Sequence, residues 1–85
     1  MYRIVYTRRS LKTLRRVPKP IANRIRSRLS GIAKNPYTAN SDIKRLQGRP
    51  GFRLRVGEWR VIFEIQDDEL LILVLKIGTR GDVYK

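Results

Sequence analysis

The sequence predicts an α+β domain of order β-α-α-β-β-β, two N-terminal helices packed on a mainly antiparallel four-stranded sheet. Three observations predict it. Apolar residues recur at helical spacing from Leu11 to Ala33, with two prolines interrupting the run. Residues 52–56 alternate apolar and arginine positions and lead into an aromatic, β-branched run over residues 59–65. Residues 70–77 are nearly all apolar, as expected of a strand covered on both faces.

Residues 2–6 are β-branched and aromatic and form the first strand. Thr7 is placed to cap the helix that follows. There Leu11, Leu14 and Val17 make one apolar stripe among Arg8, Arg9, Lys12, Arg15 and Arg16. Pro18 and Pro20 end that helix and restart the chain, because proline suits a first helical turn and not an interior. The second helix spans residues 20–34. Ile21, Ile25, Leu29, Ile32 and Ala33 share its buried face, and Asn23, Arg24, Arg26, Ser27 and Arg28 lie outward. Asn35 and Pro36 stop it. Residues 35–51 are turn-rich and read as a long surface loop, pinned by Leu46 and carrying Lys44, Arg45 and Arg49. Loops of that length in a small domain are often functional. Gly57-Glu58 fits a two-residue hairpin turn with glycine first, and Asp67-Asp68 fits a second turn. Residues 78–85 form a short polar tail.

A chain of 85 residues allows one domain, over residues 1–85, and 41% hydrophobic residues suffice for a small core. Lys and Arg number 20 against 7 Asp and Glu, a formal charge of +13. Of the 20 basic residues 14 are arginine, whose planar fork matches phosphate geometry, so a polyanion, and nucleic acid above all, is the expected partner. The sequence has no cysteine and no histidine. That excludes disulfides, thiol nucleophiles, Cys- or His-ligated metals, Ser-His-Asp triads and imidazole acid–base pairs. Chemistry has to run on Arg, Lys, Tyr and a few carboxylates. No cofactor and no metal is expected; Asp67, Asp68 and Glu69 read as solvated turn residues. The longest apolar run, residues 70–75, is far short of the roughly 20 residues a membrane-spanning helix needs. The N-terminal residues lack a secretory signal, so the expected compartment is the cytoplasm.

The Gly57-Glu58 turn sets a register. Val56 faces Trp59, Arg55 faces Arg60, Leu54 faces Val61, and Arg53 faces Ile62. Side chains alternate across a sheet, so Phe52, Leu54, Val56, Trp59, Val61, Phe63 and Ile65 turn toward the helices. Arg53, Arg55 and Arg60 fall on the other face. Directly opposed like charges repel, which points to an anion held between Arg55 and Arg60. The last strand runs toward that same end and leaves the sheet at Gly78, which delivers Arg80 and Tyr84 beside the other arginines. Glu58 is the one carboxylate expected at that end, as a turn residue or a base. Ile62, Leu73 and Leu75 leave an apolar patch on the outer face that needs cover.

Phe52-Arg53-Leu54-Arg55, Glu58-Trp59-Arg60-Val61-Ile62-Phe63, Ile77-Gly78-Thr79-Arg80-Gly81-Asp82-Val83-Tyr84 and the Lys44-Arg45-Leu46-Gln47-Gly48 loop resemble the RelE toxins of the RelE/ParE superfamily. The resemblance covers nearly the whole chain, and the Gly-x-Arg-x-Asp-Val-Tyr ending is its most specific part. It implies a type II toxin that cleaves mRNA in the ribosomal A site, a ribosome-dependent endoribonuclease, and an acidic RelB-like antitoxin as partner. It implies a catalytic set of Arg53, Arg55, Arg60, Arg80 and Tyr84. The family often has lysine on the strand that here carries Arg53 and Arg55, and many members have histidine where this chain has Thr79. Arginine effectively cannot lose its proton, so Arg53 and Arg55 suit charge stabilisation and not base catalysis.

The implied reaction is attack of an RNA 2′-hydroxyl on its own 3′-phosphate, which requires alignment, charge stabilisation and proton transfer but no metal. Arg60 and Arg80 take the part of phosphate clamps. Tyr84 has two open roles, handling the 2′-hydroxyl or stacking on a base. Trp59 belongs to the core. Arg24, Arg28, Lys44, Arg45 and Arg49 are expected to grip RNA backbone. The alternative is a ParE-like toxin that inhibits DNA gyrase without cleaving RNA, since the superfamily shares its fold.

Overall fold

The computed structural model describes residues 1–38, 40–81 and 83. The chain runs β1 (Arg3–Tyr6), α1 (Arg8–Arg16), α2 (Lys19–Lys34), β2 (Ile43–Arg45), β3 (Phe52–Val56), β4 (Trp59–Gln66), a 3-10 turn (Asp67–Glu69) and β5 (Leu71–Thr79). The strands form one sheet in the order β1-β5-β4-β3-β2, with β1 parallel to β5 and the other neighbours antiparallel. The sheet thus has five strands and not four. The added strand, β2, lies inside the stretch expected to be a loop. It has three residues and no alternating pattern; it forms because β3 offers a free edge, with Lys44 opposite Arg53. The Arg55 amide extends that ladder by donating to the Asp42 carbonyl at 2.8 Å.

Thr7 caps α1 by accepting from the Ser10 amide, and its own hydroxyl donates to the Leu75 carbonyl at 3.0 Å. Ser10 is fully buried and donates through Oγ to the Val74 carbonyl, also at 3.0 Å. The start of α1 is therefore fastened to β5. α2 begins at Lys19, one residue earlier than expected, with Pro20 in its first turn, where a missing amide costs nothing. Ala22, Ile25, Leu29, Ile32 and Ala33 are its buried residues; Ile21 is half-buried at the margin. With Leu14 and Val17 they pack on Leu54, Val56, Val61, Phe63, Ile72, Val74 and Ile77 of the sheet. Full burial of each Val, Leu or Ile stabilises the fold by about 1.5–3 kcal/mol. Trp59 packs against this core, as expected.

The β3–β4 register agrees with the expected one at all four pairs, from Val56–Trp59 to Arg53–Ile62. Gly57 has φ +60, the backbone that the glycine-first turn needs. Beyond Ile62 the β4–β5 ladder shifts: Ile62 pairs with Lys76 while Phe63 pairs with Val74, so Leu75 is an extra residue. Unbroken alternation would send Lys76 to the core face with Ile72 and Val74. This bulge puts Lys76 on the outer face and returns Ile77 to the core.

The second turn is longer than two residues. After the 3-10 turn Leu70 takes a left-handed conformation, φ 52, and is 53% exposed, so β5 starts at Leu71. Asp67 stays at the surface with its carboxylate engaged, accepting from the Tyr2 hydroxyl at 2.6 Å and from the Tyr37 hydroxyl. These bonds hold Asp67 below the usual carboxylate range and push Tyr2 up to about 12. The expected outer apolar patch is smaller than its sequence suggests: Ile62 is only 3% exposed, and Leu73 and Leu75 are half-buried. Among the described residues no helix is long and apolar enough to cross a membrane.

Candidate active site

The bare face of the sheet, opposite the helices, carries rows of side chains set by the ladders. One row is Lys44, Arg53, Ile62 and Lys76; the next is Arg55, Arg60 and Gly78. Past β5 the chain turns back, with the Val83 amide donating to the Thr79 carbonyl at 3.0 Å and Val83 buried at 1% exposure. Arg80 lies in this turn. Together Arg53, Arg55, Arg60 and Arg80 line a cavity of about 260 Å³. Four of the five residues expected to form a catalytic set thus converge. The fifth, Tyr84, lies outside the described residues.

Arg55 and Arg60 are directly opposed, as the turn requires, and each guanidinium is held by a different acceptor. Arg60 curls back on its own hairpin, with Nη1 donating to the carbonyls of Gly57 at 2.8 Å and Trp59 at 3.0 Å. Arg55 donates from Nη2 at 3.0 Å and from Nε at 3.3 Å to Oδ1 of Asp42. Oδ2 of Asp42 accepts from Arg28 Nη1 of α2 at 3.3 Å. The Arg55 bond, with Arg28 behind it, keeps Asp42 below the usual carboxylate range. The expectation that Glu58 is the one carboxylate at this end is therefore corrected: Asp42 is in direct contact with the arginine set. Its sequence setting, Asn40-Ser41-Asp42, carries only a turn signal, realised as the Asp42 amide donating to Asn40 Oδ1 at 2.8 Å.

A second cavity, about 340 Å³, adjoins the first at Arg53 and is lined by Lys44, Arg45, Leu46, Gln47, Arg49 and Arg53. Arg45 lies over the Phe52 ring, 5.6 Å from its centroid, and Phe52 stacks on Phe63. Arg45, paired with Phe52, takes the helix-side face at the rim of this cavity, whereas Lys44 and Arg49 are continuous with the arginine cavity through Arg53. Arg24 and Arg28 are not: both sit on α2, across the sheet from the cavity, and Arg28 is engaged by Asp42. Lys76 is a further cation of the outer face that the sequence reading passed over. Its signal was there, a lone charge in an apolar strand, which marks a bulge. Among the described residues no three His, Cys, Asp or Glu side chains cluster to hold a metal ion.

A family described as the ParE toxin of type II toxin–antitoxin systems, parDE, matches residues 4–84. The chain is 31% identical over 80 residues to the candidate RelE1 toxin of Methanocaldococcus jannaschii, covering 92% of this chain and 89% of that protein. In structure it is similar to RelE in the archaeal RelE–RelB complex of Pyrococcus horikoshii, with TM-score 0.80, 26% identity, and coverage of 95% of this chain and 97% of that one. It is also similar to the toxin of the intact Escherichia coli RelBE complex, with TM-score 0.79, 20% identity, and coverage of 93% and 96%. Two helices over a five-stranded mixed sheet are the architecture of the RelE structures. The chain belongs to the RelE/ParE superfamily of type II toxin–antitoxin toxins, as a RelE-like toxin.

Proposed function

We propose that this toxin is a metal-independent endoribonuclease that cuts mRNA in the ribosomal A site and so stops translation. The observation that carries the reading is the cavity lined by Arg53, Arg55, Arg60 and Arg80. Four arginines around one small volume, two of them anchored, suit a phosphate whose charge grows as a fifth oxygen bonds to phosphorus. The 2′-oxygen attacks, the bond to the 5′-oxygen breaks, that oxygen takes a proton from water, and the products are a 2′,3′-cyclic phosphate and a 5′-hydroxyl. Arg60 and Arg80 clamp the phosphate; Arg53 and Arg55 stabilise its developing charge. Tyr84 is the candidate to take the 2′-hydroxyl proton or to stack on a base. Lys44, Arg45 and Arg49 hold the RNA backbone beside the cut, and Arg24 grips ribosomal RNA from α2, where the expected partner role of Arg28 gives way to its ion pair with Asp42. The toxin works in the cytoplasm, where ribosomes are.

An acidic antitoxin is the expected partner. The charge of +13 favours it, and the Pyrococcus horikoshii relative is found in complex with RelB. A second reading, binding of DNA gyrase without RNA cleavage, is favoured by the match to the ParE toxin family. Primer extension on translating ribosomes, run beside a gyrase supercoiling assay, separates the two. Codon-positioned cuts that survive chelation at ribosome-sparing magnesium support the nuclease. Loss of supercoiling with intact mRNA would replace it with the gyrase reading.

A further inference from the structure

We propose that Asp42 is a positioning residue of the arginine cavity, holding the Arg55 guanidinium in one orientation and tying it through Arg28 to α2. This rests on the reading of the cavity as a phosphate site. Arg55 stands on β3, next to the edge strand, and its side chain is more than half exposed, at 53%. An exposed arginine ordinarily samples many rotamers, and a site that needs a fixed donor has to restrict it. Asp42 does this with two bonds to the guanidinium, beside a third that fixes the Arg55 backbone. Its carbonyl takes the Arg55 amide at 2.8 Å, and its Oδ1 takes Nη2 and Nε at 3.0 and 3.3 Å. Its other oxygen is taken by Arg28 at 3.3 Å, so the carboxylate is itself braced from α2.

Asp42 does not line the cavity, although Arg55 does. It grips the Nε–Nη2 side of the fork, and the Nη1 donors take no part in the bonds Arg55 makes to Asp42. A planar fork held on one side presents its remaining donors in a fixed direction. A carboxylate between two guanidiniums is also a weak proton acceptor, which suits a brace and not a general base. Arg28 thereby takes a part in the site that its position across the sheet conceals.

The test uses the full-length toxin and has two arms. In the first, Asp42→Asn, Asp42→Ala and Arg28→Gln are assayed for single-turnover cleavage and for ribosome binding, alone and in an Arg55→Ala background. Asn keeps an acceptor without the charge, and Ala removes both. The expected result is a rate constant lowered several-fold by Asn and roughly tenfold to a hundredfold by Ala. Ribosome affinity should hardly change with either, and neither substitution should lower the rate further once Arg55 is gone. In the second arm, Arg55 Nε–H resonances are followed by NMR with inorganic phosphate as probe. Arg55 should give a distinct, slowly exchanging signal that Asp42→Ala broadens and Arg28→Gln weakens. Asp42→Ala should bind phosphate more weakly than wild type.

Tighter phosphate binding or faster cleavage in Asp42→Ala would overturn the proposal, making Asp42 an internal competitor for Arg55. Equal, complete inactivation by Asn and Ala with an unaltered Arg55 signal would overturn it in favour of a base. Additive losses in the Arg55→Ala background would overturn it as well. If Asp42→Ala does not fold, Arg28→Gln and Asp42→Asn carry the same comparison. Absence of cleavage by the wild-type toxin would remove the nuclease reading, while the NMR arm would still report on Asp42.

Discussion

Arg55 and Arg60 occupy directly opposed positions on neighbouring strands, and their guanidinium groups are drawn apart by unlike acceptors. Asp42 holds one, and the carbonyls of Gly57 and Trp59 hold the other. Opposed like charges destabilise an antiparallel pair; here Asp42 neutralises Arg55, and backbone carbonyls solvate Arg60 and turn it away. The arrangement leaves two anchored cations on the rim of one cavity with Arg53 and Arg80. Anchored donors need little reorganisation when charge develops between them, which is the condition for electrostatic catalysis.

Arg80 and Arg24 should separate chemistry from association. Arg80→Ala removes a charge from the cavity and is expected to cost roughly 3–4 kcal/mol of transition-state stabilisation, about a hundredfold or more in rate. Arg24→Ala, on the exposed face of α2, should weaken ribosome association and flatten its salt dependence with the saturated rate unchanged. Single-turnover rates at saturating ribosome, set beside binding isotherms at several salt concentrations, read the difference. Identical behaviour of the two variants would move the active site elsewhere.

Tyr84→Phe keeps the ring and removes the hydroxyl. If the hydroxyl handles the 2′-proton, Phe should be nearly as slow as Ala; if the ring stacks on a base, Phe should approach wild type and Ala should be slow. The same cleavage assay, run across pH for wild type and Phe, distinguishes the outcomes. A wild-type rate for Ala would take Tyr84 out of the site.

Gly51 and Gly57 should differ in their tolerance of a side chain. Gly51 has φ +113, and a Cβ there would lie 3.0 Å from the Phe63 carbonyl oxygen. Gly57 has φ +60 with nothing within 4 Å. Gly51→Ala is expected to destabilise by about 1–3 kcal/mol through backbone strain and close approach to β4. Gly57→Ala should cost about 1–2 kcal/mol from the left-handed backbone alone. Denaturant midpoints compare them. A melting curve for Gly51→Ala that overlays wild type would show that the loop can move off β4.

The Asp67 cluster predicts a pH dependence at both extremes. The Tyr2 and Tyr37 hydroxyls lower the folded pKa of Asp67, so its contribution is present above the unfolded carboxylate value and is lost as pH falls through the folded one. Tyr2 is raised to about 12, so its contribution is present below the ordinary tyrosine value of 10.0 and is lost as pH rises through about 12. Asp67→Asn should remove both dependences and return Tyr2 toward its ordinary titration, followed by tyrosinate absorbance. A stability gap between wild type and Asp67→Asn that stays constant down to strongly acidic pH would contradict the cluster.

The two helices, the β3–β4 register and the arginine face were legible because each rests on local rules. Prolines bound α2, helical spacing sets its buried face, and a glycine-first turn between alternating strands leaves one way to pair them. That register alone put Arg53, Arg55 and Arg60 on one face, and the direction of β5 brought Arg80 to them. Three features depended on tertiary contacts. β2 is three residues of unpatterned sequence that pair only because β3 has a vacant edge. The bulge at Leu75, which sends Lys76 outward, coincides with the place where β1 ends and the hydroxyls of Thr7 and Ser10 reach the carbonyls of Leu75 and Val74. Asp42 reaches Arg55 across 13 residues of turn-rich chain, and nothing in the local pattern of a carboxylate in a loop says which cation it will find. Local spacing determines which face a side chain takes, whereas a partner distant in the chain is chosen by packing of the whole fold.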